Sequence, residues 1–282
     1  MVKYLASPEG KTLAAVIGDP VLHSLSPVIY NAAFEHDQIN WVYRAVNVTR
    51  EDVGSLIEEI RILPVGGLSV TMPHKESIAK LVDEITDHAE RLGAVNCVSQ
   101  NGSSLVGHNT DGEGFLRALE EETGEKVAEK SYLIIGAGGA AKAVSLALGE
   151  AGASEVIVTS RDESKSQTAA SLAGQAGRAG SLKDSRRVDV VINATPIGMA
   201  GTGNLGDSPL STDDIHESQI IIDLIYHPLE TAFLKNARQI GAQAINGIGM
   251  LVHQAALQYT IWTNEEAPVK VMQNAVIQKI SQ

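Results

Sequence analysis

The sequence predicts an α/β fold in two domains. Three observations carry this: short apolar runs alternate with longer helix-compatible stretches from end to end, a glycine-rich turn follows directly on one run, and a dense charge run stands between two such blocks. Strand, helix, strand repetition is the pattern of parallel strands joined by right-handed crossovers.

Taken in order, the predicted strands are residues 13–17, 41–46, 67–71, 132–135, 156–159, 188–193 and 220–224. Amphipathic segments at 27–36, 52–60 and 140–150 lie between several of them. Ser26 is the expected N-cap of the first helix, with Pro27 at its first helical position. The charge run 120–130 reads either as a solvated helix end and loop or as a connection between domains. Residues 247–263 predict a long helix, and another runs from Pro268 to Ile280. Both follow the last strand of the second block, so they are expected to pack back on the first. The division is then residues 1–112 with 248–282 against 113–247.

The chain has 282 residues, 44% hydrophobic and only 20% charged, which supports folded cores and excludes disorder. Its 22 basic against 34 acidic residues give a net charge of −12. Such a surface repels extended polyanions, so neither nucleic acid nor a membrane surface is an expected partner, and a small-molecule substrate is. Cys97 stands alone, which rules out an intrachain disulfide and a cysteine zinc site. The eight histidines form no tight cluster of the His-Glu-x-x-His kind, so no metal is expected. The first ten residues lack a signal-peptide core, and no apolar run approaches roughly 18 residues. The expectation is a soluble cytoplasmic protein, with monomer and homodimer both open.

The glycine turn is the first chemical signal. Gly136-Ala137-Gly138-Gly139-Ala140-Ala141 follows the apolar run 132–135 and precedes a helix pattern. Gly136, Gly138 and Ala141 occupy the positions of a dinucleotide fingerprint: a tight turn, close backbone approach to a pyrophosphate, and close helix packing. The second domain is therefore expected to be of the Rossmann, dinucleotide-binding type. After the next strand, Ser160 is neutral and Arg161 and Lys165 are basic, which favours a 2′-phosphate and NADP over NAD. Asp162 and Glu163 could instead turn toward a free ribose, which leaves NAD open.

Three further segments carry more polar groups than strand ends need. They supply Ser24 and Ser26, then Thr71 and Lys75, then Asn109 and Asp111. Hydroxyls, an amide, an ammonium and a carboxylate at strand ends suit a small polyhydroxylated acid, although turn formation explains Asn109 and Asp111 equally well.

At this point the chain resembles the shikimate dehydrogenase family, over nearly its whole length. The matching stretches are Ser24-Leu25-Ser26-Pro27, Val70-Thr71-Met72-Pro73-His74-Lys75, Gly93-Ala94-Val95-Asn96, Asn109-Thr110-Asp111-Gly112, the glycine turn, Asn193-Ala194-Thr195-Pro196-Ile197-Gly198-Met199, and Gly247-Ile248-Gly249-Met250-Leu251-Val252-His253-Gln254. The resemblance implies an N-terminal substrate domain and reversible reduction of 3-dehydroshikimate to shikimate with NADPH, on the route to aromatic amino acids. It implies Lys75 and Asp111 as the catalytic pair, and Ser24 and Ser26 as hydroxyls for the substrate carboxylate. Thr71, Asn96, Tyr226 and Gln254 are implied as further substrate contacts. Asn193, Thr195 and Met199 are implied beside the cofactor, with Gly247 and Met250 lining the nicotinamide.

Four positions depart from the family's common pattern: Ser69 for Asn, Cys97 for Thr, Asp162 for Thr and His227 for Asn. Ser69 bears on shikimate against quinate, and Asp162 on the cofactor, while Cys97 reads as a small buried hydrophobe. Two alternatives follow: a broader quinate/shikimate dehydrogenase using NAD, and a non-catalytic ligand sensor.

Overall fold

The computed structural model describes Leu5 and residues 10–63, 65–203 and 205–282. Two compact units result, one ending at Thr110 and resuming over Gln254–Gln282, the other spanning Asp111–His253.

The first unit holds β1 (Thr12–Gly18), α1 (Ser26–His36), β2 (Trp41–Asn47), α2 (Val53–Ile62), β3 (Gly67–Val70), α3 (Lys75–Ile78), β4 (Glu84–Ile85), α4 (Asp87–Leu92), β5 (Cys97–Asn101) and β6 (Ser104–His108). Its sheet runs β2-β1-β3-β5-β6-β4. The first three strands are parallel, whereas β5 and β6 form an antiparallel hairpin. This sheet is therefore mixed, where strand and helix alternation led to a parallel expectation. The physical reason is the loop: Asn101 pairs with Ser104 across Gly102 and Ser103, and a two-residue turn cannot hold a crossover. Gly102, at φ +62°, takes the left-handed conformation such a turn needs.

One face of this sheet buries Ile17, Leu68 and Val70 against Leu56, Ile57 and Ile60 of α2. An aromatic cluster gathers Tyr30 and Phe34 of α1, Tyr43 of β2 and Trp262. The indole lies so close to β3 that a Cβ on Gly67 would sit 2.2 Å from it.

The second unit holds α5 (Asp111–Thr123), β7 (Ser131–Ile135), α6 (Gly139–Glu150), β8 (Glu155–Thr159), α7 (Glu163–Ser171), β9 (Gly177–Ala179), β10 (Val190–Asn193), β11 (Ile220–Asp223), α8 (Ala232–Gln239) and β12 (Gln243–Ile245). Every pairing is parallel, in the order β12-β11-β10-β7-β8-β9. That is the doubly wound order, whose switch point falls between β7 and β10. Alternate residues feed two cores: Tyr132 and Ile134 enter one, Leu133 and Ile135 the other. The charge run lies inside this unit, where α5 ends at Thr123 and Gly124 turns the chain at φ +66°.

Two helices complete the chain, α9 (Ile248–Thr263) and α10 (Val269–Ile280), and α10 packs on α1. The joints of the two compact units fall at 110/111 and 253/254, and packing on α5 accounts for their place. A Cβ on Gly112 would stand 2.8 Å from the Ala143 carbonyl, so α5 is held to α6 from its first turn. The first turns of α9 are held to α5 as well: a Cβ on Gly249 would lie 3.0 Å from that of Ala118, and His253 Nε2 is 2.5 Å from Glu121.

Because a Cβ on Gly67 would overlap the indole of Trp262, Gly67→Ala should cost about 1–3 kcal/mol by overpacking. Urea unfolding followed by tryptophan emission measures it, since both tryptophans, Trp41 and Trp262, belong to the first unit.

Candidate active site

In the first unit the loop after β1 folds back on itself. Ser24 Oγ accepts the Ser26 N–H at 3.2 Å and lies 3.1 Å from Ser26 Oγ. Leu25 stands at the N-cap in a helical conformation with no side-chain cap, so Ser26 is the first residue of α1 and not its cap. The correction has a local cause, because the Ser24 hydroxyl already takes the amide that a capping Ser26 would precede. Two hydroxyls are thereby set side by side at the start of α1.

Thr71 leaves β3 with its N–H bonded to the Ile17 carbonyl, and its own carbonyl accepts from His74. His74 is fully buried, with Nε2 2.6 Å from the Val48 carbonyl, so that nitrogen carries the proton. Lys75 follows as the first residue of α3, half-buried, its carbonyl held by Val95 N–H at 2.9 Å.

Beside this turn, Asn96 is buried and its side chain is closed on Thr110: Oδ1 accepts from the Thr110 N–H at 2.9 Å and Nδ2 donates to Oγ1 at 3.0 Å. The Thr110 hydroxyl donates to the Gln254 carbonyl at 3.0 Å, and Gln254 Oε1 accepts from Gln258 Nε2 at 2.8 Å. Asn109 holds the Ala94 carbonyl at 2.9 Å, a turn-forming role. Ser69 is buried with its hydroxyl between Tyr43 and Gln258, each at 2.5 Å. Cys97 is fully buried, and burial pushes its thiol up, so it packs as an inert hydrophobe.

In the second unit, Asp111 is 8% exposed in the first turn of α5. Tyr226 is half-buried, and desolvation raises its phenol above the ordinary value.

At the switch point, Gly136 has φ +116°, and a Cβ there would lie 2.8 Å from the Ala194 carbonyl. Only glycine fits such a turn. Gly138 stands extended at the N-cap of α6 with no side-chain cap, and a Cβ on Gly138 or Gly139 would meet nothing within 4 Å. Ala137 and Ala140 are half-buried, and Ala141 is fully buried, supplying the small third residue. A helix start with no side-chain cap and with space around both glycines fits a dinucleotide pyrophosphate.

Beyond β8, Ser160 turns its hydroxyl inward to the Asp162 carbonyl and Ser166, each at 2.8 Å. Asp162 caps α7 by accepting the Lys165 N–H at 3.2 Å, and its carboxylate lies 3.6 Å from Lys165 Nζ. The acid that resembled a ribose ligand is thus engaged in a helix cap. Arg161 is exposed and makes no hydrogen bond or ion pair among the described residues, which leaves its forked donors available for a phosphate.

Asn193 is fully buried and faces inward. Its Oδ1 accepts from Thr195 N at 3.0 Å and Thr195 Oγ1 at 2.6 Å, and its Nδ2 donates to Asp223 at 3.0 Å. Met199 is exposed. Gly247 passes so close to β11 that a Cβ would be 2.2 Å from the Leu224 carbonyl, and Met250 packs on the core of the second unit. Asp223, which the sequence reasoning did not single out, is fully buried and accepts also from Ile225 N–H at 3.1 Å and Thr231 Oγ1 at 2.7 Å. Burial pushes its carboxyl up to about 6. Gln258 and Thr110 were missed too; the available signal for Gln258 was its place four residues after Gln254 on one helix face.

A glycine turn opening an uncapped helix at a switch point calls for a dinucleotide, and hydroxyls and amides in the unit that carries Lys75 call for an oxygen-rich substrate. The class is a dinucleotide-dependent oxidoreductase. Comparison with known proteins makes the assignment specific. The family model for the shikimate dehydrogenase substrate binding domain matches residues 16–98, that for shikimate/quinate 5-dehydrogenase residues 118–202, and that for the shikimate 5′-dehydrogenase C-terminal domain residues 247–277. The shikimate dehydrogenase (NADP(+)) of Methanopyrus kandleri is 42% identical, covering 95% of this chain and 96% of its own length. That of Bacillus subtilis is 38% identical, covering 96% and 98%. The crystal structure of shikimate 5-dehydrogenase from Thermus thermophilus in complex with NADP(H) and shikimate superposes with a TM-score of 0.87 at 35% identity, covering 95% of this chain and 99% of that one.

The chain belongs to the shikimate dehydrogenase family and is an NADP-dependent oxidoreductase. The quinate/NAD and sensor alternatives are not favoured.

Asp223 makes a pH prediction. Its carboxyl titrates at about 6 in the fold against 3.8 ordinarily, so protonation favours the native state. The stability this group contributes is present below pH 3.8 and lost as pH rises through about 6, a change of at most about 3 kcal/mol. Asp223→Asn should flatten the pH dependence of the unfolding free energy across that window, as measured by urea titration.

Proposed function

We propose that the first unit binds 3-dehydroshikimate and shikimate, that the second binds NADPH and NADP, and that the residues matched to the family motifs carry the reaction. The observation that carries the reading is the turn from Thr71 to Lys75, held on both sides by the buried His74 and the Val95 N–H, which fixes the base of the lysine.

The bound cofactor supplies hydride to the carbonyl carbon of the substrate. The oxygen left with negative charge is stabilised by the Lys75 ammonium, which then gives it a proton. Asp111 is the second member of the proposed catalytic pair. Ser24 and Ser26 take the substrate carboxylate, and Thr71, Asn96, Gln254 and Tyr226 take ring oxygens. Gly136, Ala137, Gly138, Gly139 and Ala140 hold the pyrophosphate. Arg161 and Lys165, with Ser160 at the turn, hold the 2′-phosphate. Thr195, Met199, Gly247 and Met250 flank the nicotinamide, and Asn193 acts through Thr195. Among the described residues no helix is long and apolar enough to cross a membrane. The cytoplasm is the proposed location, supported by the biosynthetic role of the relatives' activity.

Lys75→Ala should lower kcat by about a thousandfold, within the range for a lost general acid, and change KM far less; steady-state oxidation of shikimate measures both. The decisive assay sets shikimate and quinate against NADP and NAD, and shikimate with NADP should be fastest. Arg161→Ala should raise Kd for NADP by about tenfold or more, the loss of a charge-assisted pair, and leave Kd for NAD nearly unchanged. A preference for NAD in the parent protein would refute the reading of Arg161.

A further inference from the structure

We propose that Gln258, which is outside the residues matched to substrate contacts, is a positioning residue of the substrate site. It fixes the Gln254 side-chain amide so that the NH2 end, and not the carbonyl, is presented to the ligand. The inference rests on the reading of Gln254 as a substrate contact.

Main-chain groups set the direction of the bonds around Thr110. The Thr110 N–H can only donate, and it meets Asn96 Oδ1 at 2.9 Å, so Asn96 Nδ2 is the end that faces Thr110 Oγ1 at 3.0 Å. That hydroxyl accepts there, and its own hydrogen points to the Gln254 carbonyl, 3.0 Å away. It offers Gln258 only a lone pair. Gln258 must therefore turn Nε2 toward it, at 3.3 Å, and toward the Asn96 carbonyl at 3.4 Å.

The stronger bond from Nε2 goes to Gln254 Oε1 at 2.8 Å. On the other side, Gln258 Oε1 accepts from Ser69 at 2.5 Å and Tyr30 at 3.0 Å, and Tyr43 donates to Ser69 at 2.5 Å. Burial pushes the phenols of Tyr30 and Tyr43 well above their ordinary value, so both remain donors. Gln258 is 1% exposed, and no solvent is at hand to repair a reversed amide. With its Oε1 turned to Gln258, the end of the Gln254 amide directed away from Gln258 is the NH2, and the ligand group it would meet is an oxygen with a lone pair to offer.

Gln258→Glu keeps the shape and replaces the donor with a carboxyl. Ionised, that carboxyl forces Gln254 to turn its NH2 inward. KM for shikimate should then rise about tenfold or more at pH 8, with kcat within about threefold and Kd for NADP unchanged. Lowering the pH protonates the introduced carboxyl, restores a donor and returns KM toward the parent value, which a packing defect would not do. Gln258→Met keeps the length without polarity and should raise KM about three- to tenfold at every pH. Tryptophan emission reports folding of this unit, since Trp262 lies 5.1 Å from Tyr30. If the Glu variant loses the parent emission, the Met variant decides.

KM within about twofold of the parent in the folded variants overturns the proposal, as does a KM increase in Gln258→Glu that is indifferent to pH. Gln254→Ala, assayed alongside, separates the two failures. If it also leaves KM unchanged, the reading of Gln254 has failed; if it raises KM while the Gln258 variants do not, only the present inference has.

Discussion

The reversal of strand order between β7 and β10 is the constraint on which the second unit depends. Strands are added outward from that point in both directions, so the loops leaving β7 and β10 part and open a crevice at their carboxyl ends. Gly136 lies at the parting, with the Ala194 carbonyl at a distance that admits no side chain. The turn can be tight only for that reason, and its tightness brings the first amides of α6 to the crevice. Ala194 in turn follows Asn193, which Asp223 holds inward from the neighbouring strand end. Burying a carboxyl is unfavourable, and three donors offset part of the cost. The glycine turn is thus supported from the neighbouring strand ends by a buried polar network.

The first unit meets a similar demand without a long helix dipole. Its α3 is a single turn, so the placement of Lys75 relies on the buried His74 and on the Val95 N–H. Asn96 and Gln254 are placed by the Thr110 hydroxyl and main chain together with Gln258. Amides and hydroxyls suit this role because each can both donate and accept, and a closed chain of them leaves one consistent direction.

Much of the architecture was legible because burial leaves a pattern: the apolar runs at 13–17, 132–135 and 156–159 are strands, and the helices at 27–36 and 140–150 differ from the observed ones by one residue at their starts. The hairpin of β5 and β6 was not, since Ser99, Gln100, Asn101, Ser103 and Ser104 hide it in polar sequence and Gly102 is its one local sign. β9 and β12, at three residues each, are too short for any periodicity. At the candidate site, motifs are what single out Lys75, Asp111 and the glycine turn for the proposal. For Gln258 the sequence offered only its spacing from Gln254, because its other partners lie as far away as Tyr30, 228 positions earlier, and no local pattern encodes such a bond. Ser26 shows the converse, where a sound capping rule yields to the hydroxyl of its neighbour Ser24.

The acidic balance of −12 gains meaning from these details. At physiological salt, charges more than about 8 Å apart are largely screened, so small anions respond to the groups they touch and not to the net charge. Asp162 is the instructive case. Read as composition, it sets a negative charge beside a phosphate site and argues against NADP. In the fold its carboxylate caps α7 and pairs with Lys165 at 3.6 Å, so the two charges largely cancel. The guanidinium of Arg161 stays exposed at the strand end, and its forked donors are the local group that the proposed 2′-phosphate would meet, whatever the net charge of the surface.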